Sequence, residues 1–193
     1  MPDAQLAASL GQMRILRSIA FAGAVGDESE IFGLDSAPSH AIAALAAMGL
    51  VEVDGIIAPT PAGLAALDDW YAADRGGIDE AARDQLIDSF RPLDRELKRL
   101  ASAWQDAEIR DDWDARMEAI EALSALHDRT VPYLKRLPKR FGEYAERLGR
   151  ARDRITDGET DYIASVRIDS YHTAWFTLHE DLLRLLERER DAE

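Results

Sequence analysis

Two histidines near the carboxy terminus are spaced to act together. His172 and His179 lie seven residues apart, so on a helix they share a face and are separated by about 10.5 Å of rise. One metal ion cannot bridge that distance alone, and a site would also need His127 with a carboxylate such as Asp169 or Glu180. The chain has no H-E-x-x-H motif or comparable ligand spacing. The pattern therefore favours histidines of a helical core or interface, and we predict no metal.

Aromatic residues accompany these histidines at helical spacing, which is typical of a packed core and also compatible with the wall of a ligand pocket. The candidate pocket residues are Trp104, His127, Tyr171, His172, Trp175 and His179. Both interpretations stay open at the level of sequence.

Motifs for catalysis are absent. There is no phosphate-binding glycine loop and no G-x-S-x-G motif. The chain has no cysteine, which excludes thiol nucleophiles, disulfides and thiolate metal sites. The 37 acidic residues guarantee accidental carboxylate neighbours, so a carboxylate pair alone indicates nothing. We predict a protein that is not an enzyme and needs no cofactor.

Basic residues are concentrated in one segment of a chain whose net charge is −14. Residues 133–154, the basic segment, hold eight basic and three acidic residues. They either neutralise acidic neighbours through ion pairs or bind a phosphorylated or acidic partner. The second interpretation rests on four residues spaced to cluster around one helix start: Lys135, Arg136, Lys139 and Arg140.

The elements that position such residues begin with a helix, a hairpin and a second helix. Residues 36–40 open a helical run over 41–48 that stops at Gly49. Two short strands, 51–53 and 56–58, flank Asp54-Gly55, a strong hairpin signal. Thr60 or Pro59 then precedes a helix that begins at Pro61.

This order resembles the winged-helix domain of MarR-type bacterial transcriptional regulators. The resemblance covers roughly residues 10–75 and implies a homodimer that places two winged helices in successive major grooves. Ser36, Ser39 and His40 would then face the bases.

Charge in the same region opposes DNA binding. Residues 1–70 contain two basic residues, Arg14 and Arg17, against nine acidic ones. The recognition helix has no Lys or Arg, and Asp54 on the hairpin repels phosphate. Our first prediction is nevertheless a MarR-like transcriptional regulator that binds DNA, and a winged helix that contacts a protein is the alternative. Arg14 and Arg17 are predicted to lie on the outer side of the first helix.

A boundary is predicted near Arg75-Gly76-Gly77, which gives a winged-helix domain over 1–75 and a helical domain over 76–193 for self-association or partner binding. The fold class is mainly α. Pro132 and Pro138 are expected to break the chain between helices, and the last helix is expected to begin at Asp169 or Ser170. The first helix of this domain is predicted to pack through an apolar seam, a stripe of residues at alternating three- and four-residue steps: Phe90, Leu93, Leu97, Leu100 and Trp104.

The helical domain carries a second resemblance, in residues 91–98, 103–105 and 169–183. These segments are similar to a helical region of actinobacterial proteins that sometimes accompanies pyruvate phosphate dikinase-like enzymes. The resemblance implies a non-catalytic accessory or regulatory protein that docks on a phosphoryl-transfer enzyme through its helical domain.

The cellular location is predicted from the amino-terminal residues and from the length of the apolar runs. Met1-Pro2-Asp3 carries no positive charge, and no apolar run approaches the ~18 residues of a membrane span. We expect a cytoplasmic homodimer without membrane contact.

Overall fold

A computed structural model describes residues 9–32 and 39–188 of the chain. Within them the fold is mainly helical, with one two-stranded antiparallel sheet. The α-helices are α1 Leu10–Ala22, α2 Ser39–Ala47, α3 Pro61–Arg75, α4 Glu80–Arg110, α5 Trp113–Leu134, α6 Gly142–Thr156, α7 Asp161–Ala164 and α8 Tyr171–Leu186. The strands are β1 Val51–Val53 and β2 Ile57–Pro59. Short 3-10 helices span Glu28–Glu30 and Lys139–Phe141.

The chain divides into two compact units, an amino-terminal unit up to Asp74 and a helical unit from Arg75 onward. The division falls in the last turn of α3. None of the described helices is long and apolar enough to cross a membrane.

Local chemistry sets the ends of the first helices. The Ser9 side chain accepts a hydrogen bond from the Gln12 amide, and the Gln12 side chain accepts one from Ser9 in return, which caps α1. Gly49 follows α2 with φ +71°, a conformation that favours glycine. The Thr60 hydroxyl accepts a hydrogen bond from Gly63 and donates one to the Gly49 carbonyl, so the predicted cap of α3 is confirmed at Thr60.

The hairpin pairs Val51 with Pro59 and Val53 with Ile57. Its loop contains three residues, because β2 begins at Ile57, one residue later than the sequence predicts. An unpredicted bridge adds Val25 to the sheet: Val25 and Ile57 exchange both backbone hydrogen bonds, at 2.9 and 2.8 Å. This bridge fixes the chain after α1 against β2.

An apolar cluster fills the amino-terminal unit. It contains Met13, Ile15, Leu16, Ile19, Val25, Ile31, Ile42, Leu45, Val51, Ile57 and Leu67. Arg17 contradicts the prediction of an outward position, since its exposed fraction is 2%. The covered surface of α1 is wider than its apolar stripe, so Arg17 cannot contact phosphate.

In the helical unit, α4 packs against α5 and α8, and α6 packs against α5, α7 and α8. The predicted seam on α4 is buried at Phe90, Leu93, Leu97 and Trp104. The Phe90 ring stacks on Trp175 of α8 at a centroid distance of 5.5 Å. The carboxy-terminal helix therefore supplies part of the core, with Phe176 as an exception at 45% exposure.

Helix boundaries in this unit confirm one prediction and correct another. Ser170 caps α8 by accepting a hydrogen bond from the Thr173 amide. Pro132 does not break the chain, because it lies inside α5, which continues to Leu134. A proline in the last turn removes one backbone donor, and the helix ends two residues later.

Candidate functional site

The groove between α4 and α8 brings two of the predicted histidines together with a buried carboxylate. We call it the polar groove, and its volume is about 460 Å³. Its polar lining is Asp94, Lys98, Ser102, Gln105, His172 and His179, and its apolar lining is Leu97, Ala101, Trp175 and Phe176. The lining residues of α4 lie three or four positions apart, so one face of that helix forms one side of the groove.

Asp94 is the central charged group of the polar groove and is buried, with 8% exposure. Its Oδ1 accepts a hydrogen bond from Trp175 Nε1 at 2.9 Å, and its Oδ2 lies 3.3 Å from Lys98 Nζ. His179 Nδ1 lies 3.6 Å from Asp94 Oδ1, beyond hydrogen-bond range. The carboxylate therefore holds donors from both helices and fixes the Trp175 ring.

His172 and His179 both face the polar groove, as their seven-residue spacing predicts. The Nδ1 atom of His172 is buried and has no hydrogen-bond partner in the described part of the chain. Within residues 9–32 and 39–188, no three His, Asp or Glu side chains form a group that could hold a metal ion. Besides Asp94 and His179, the hydrogen-bonding groups that line the groove belong to Lys98, Ser102, Gln105 and His172.

The other predicted pocket residues lie elsewhere. His127 and Tyr171 are buried inside the helical unit, with the Tyr171 hydroxyl 3.5 Å from His127 Nδ1. Burial lowers the pKa of His127, with a smaller contribution from Arg152, and burial raises the pKa of Tyr171. Trp104 is 3% exposed and lines two other cavities of the unit, one of which is also lined by His172. Of the six candidates, only His172, Trp175 and His179 meet in the polar groove.

Sequence reasoning missed Asp94, although a signal for it exists. Asp94 lies four residues after Phe90 and three before Leu97, so it occupies the apolar seam of α4. A charged residue at such a position has to find partners inside the fold. Lys98, four residues later, is a local partner, but Trp175, whose Nε1 donates to Asp94, is 81 residues away along the chain, and no local pattern points to it.

The predicted DNA-facing residues lie in the amino-terminal unit. Ser36 is outside the described residues. His40 is exposed, and the Ser39 hydroxyl donates a hydrogen bond to Glu28 Oε2 at 2.5 Å. The hairpin tip, residues 53–56, exposes Val53 at 58% and Ile56 at 51% on either side of Asp54. This surface is apolar and acidic.

The basic segment separates into buried and exposed parts. Arg140 does not belong to the predicted surface cluster, since it is 6% exposed. Its Nη1 donates to both Asp181 oxygens, at 2.9 and 2.8 Å, and the Tyr144 hydroxyl donates to the same carboxylate at 2.8 Å. Arg147 likewise donates two hydrogen bonds to Asp169 Oδ1. Intramolecular pairing thus accounts for these two arginines.

Three members of the predicted cluster remain on the surface: Lys135, Arg136 and Lys139 are exposed. Arg136 donates a hydrogen bond to the Ser89 hydroxyl at 3.3 Å. Lys135 and Arg136 directly follow α5 and Lys139 begins the next 3-10 helix, so the three exposed cations lie close together along the chain.

Comparison with known proteins gives no further assignment. No protein-family model, no curated protein and no solved structure matches this chain.

Proposed function

We propose that this chain is a cytoplasmic winged-helix regulatory protein that acts by contacting a protein partner. The observation that carries the proposal is the exposed hairpin tip. Two large apolar side chains, Val53 and Ile56, are exposed there beside acidic groups. Protein interfaces have apolar centres with few charges, whereas phosphate contacts require Lys and Arg.

Electrostatics at the start of α2 supports the same choice. A helix amino terminus attracts phosphate through its free N–H groups and dipole. Here Glu28 accepts a hydrogen bond from Ser39 and places a carboxylate at that end. Glu52 and Asp54 on the hairpin are exposed and add negative charge. DNA would meet like charge at both predicted contact points.

The partner follows from the resemblance of residues 91–98 and 169–183 to a helical region accompanying pyruvate phosphate dikinase-like enzymes. We therefore propose a phosphoryl-transfer enzyme of that kind. The exposed Lys135, Arg136 and Lys139 would assist by contacting acidic groups on it.

Affinity capture from a native lysate of the source organism tests the proposal. The wild-type chain should retain a dikinase-like enzyme, and the V53S/I56S variant should lose most of it. I109S/V166S is the matched control, because both side chains are exposed, at 84% and 71%, in the helical unit. Equal recovery with all three chains, or no such enzyme in the eluate, would refute the proposed partner.

The polar groove suits a small effector of this regulation. Pyruvate, phosphate and phosphoenolpyruvate are the first compounds to test by thermal shift, given the proposed partner. A ligand in the groove should raise the melting temperature of wild type and not that of S102W, which fills the groove. The same shift in both proteins would place the ligand elsewhere.

DNA binding is the second candidate, favoured by the order of α2, hairpin and α3 and by the exposed His40. The MarR-type arrangement of this candidate implies a dimer, which light scattering would detect. Mobility shift of the chain's own upstream DNA at about 50 mM salt, where phosphate contacts are strongest, is the direct test. We expect no shift at micromolar protein. If the wild-type chain shifts the DNA and H40A does not, the chain is a transcriptional regulator and the proposal of a protein partner is wrong.

A further inference from the structure

A second cavity of the helical unit lies outside the polar groove, where the end of α4, the start of α5 and the end of α6 meet. We call it the apolar groove, and its volume is about 690 Å³. Trp104, Met117, Ile120 and Ile155 line it, and Trp113 stands at its edge with 68% exposure. Exposed tryptophan beside an apolar cleft is the kind of residue that dominates binding energy in protein interfaces.

Two acidic side chains and one basic side chain line this cleft, Glu108, Glu121 and Arg116, together with the hydroxyl groups of Ser124, Thr156 and Thr160. Residues 106–121, which form its α4 and α5 sides, contain seven acidic and two basic residues. One of the two cations, Arg116, is engaged by Asp111 at 3.0 Å. The charged groups of the cleft are therefore net negative beside its apolar lining, and Arg116 is already paired with Asp111.

This charge pattern decides between possible occupants. In a two-fold dimer the same patch would face itself, so the two net negative clefts would repel each other. An anionic membrane would be repelled in the same way. A helix with apolar residues on one face and Lys or Arg beside them matches both the apolar lining and the negative charge.

We propose that the apolar groove docks a cationic amphipathic helix of another protein. Trp113 forms the apolar anchor, and Glu108 and Glu121 contact the basic residues of that helix. The proposal does not depend on the surface of the amino-terminal unit.

Two synthetic 18-residue amphipathic peptides test it on the full chain, one built from Leu and Lys and one from Leu and Glu in the same pattern. The Leu/Lys peptide should bind at least tenfold more tightly by calorimetry. Its binding should shift tryptophan emission to shorter wavelength, because Trp113 leaves water. W113S and E108K/E121K should each weaken binding about tenfold.

The control D68K/D69K reverses two exposed charges of the amino-terminal unit and should retain near wild-type affinity. Equal affinity for both peptides would overturn the proposal. A loss with D68K/D69K as large as with E108K/E121K would also overturn it, since attraction would then be nonspecific. So would a dimer that W113S dissociates, because a second copy would then occupy the groove. V53S/I56S should leave peptide binding unchanged, so failure here is distinct from failure of the proposed function.

Discussion

The two units of this protein differ in the kind of side chain that fills their interiors. Among the described residues of the amino-terminal unit, Arg17 is the one buried charged side chain, and the rest of the interior is an apolar cluster. The helical unit buries Asp94, Arg140, Glu143, Arg147 and Asp181. Apolar contacts are non-directional, so a neighbouring apolar side chain can partly replace a lost one. A buried ion pair instead needs one particular partner in one geometry. The helical unit should therefore fail sharply when one partner is lost.

Removing residues 169–193 should break the helical unit and spare the amino-terminal one. Helix α8 supplies Tyr171, Trp175, Leu178 and Leu182 to the interior, together with Asp181. Each large apolar side chain contributes about 1.5–3 kcal/mol, against about 5–15 kcal/mol for a whole domain. Hydrogen exchange measured by mass spectrometry should show lost protection in α4, α5 and α6 and retained protection in α1 and α3. Unchanged protection throughout would make α8 dispensable.

That contrast also explains what the sequence could predict. Capping at Thr60, the turn at Asp54-Gly55 and the cap at Ser170 are local, and all three are present. The predicted surface position of Arg140 is wrong, because the carboxylate that pairs with it, on Asp181, is 41 residues away along the chain. The number of basic residues in a segment does not show which of them are buried. A buried arginine can be neutralised by an acidic residue on another helix, which the local sequence does not reveal.

Asp181→Ala should be the most damaging single substitution in the helical unit. It leaves Arg140 buried without its carboxylate and removes the acceptor of the Tyr144 hydroxyl. We expect a loss of about 3–5 kcal/mol in urea unfolding, as for other broken buried pairs. Asp153→Ala is the control, because the Asp153 pair with Arg152 is largely exposed, and it should cost less than about 0.5 kcal/mol. Similar losses in both variants would refute the distinction.

Gly63→Ala should destabilise the amino-terminal unit, and it should do so by steric overlap rather than by the loss of an ion pair. A Cβ atom at Gly63 would lie 2.0 Å from the Leu50 carbonyl oxygen, so α3 or the chain before β1 must move. Overpacking of this kind costs about 1–3 kcal/mol. Gly11→Ala, in α1, meets nothing closer than Ser9 Oγ at 3.9 Å and should stabilise the same unit by about 0.5–1 kcal/mol. Unfolding followed by Trp70 fluorescence, with the other tryptophans replaced by Phe, would measure the change in stability for both variants. If Gly63→Ala and Gly11→Ala changed the stability in the same direction, the steric argument would be refuted.

The smallest effect should be a pH dependence confined to the helical unit. The pKa of His127 is lowered from 6.5 by burial and then by Arg152, so the folded chain resists protonation that the unfolded chain accepts. Below about pH 6.5 the unfolded state binds more protons, and stability falls as the pH falls. The unfolding free energy of the helical unit should thus decrease between pH 7 and pH 5. His127→Gln should flatten this slope, whereas His40→Gln, at an exposed position of the other unit, should leave it unchanged. If His127→Gln retains the full slope, the buried charge pairs rather than the histidine set the acid sensitivity of this interior.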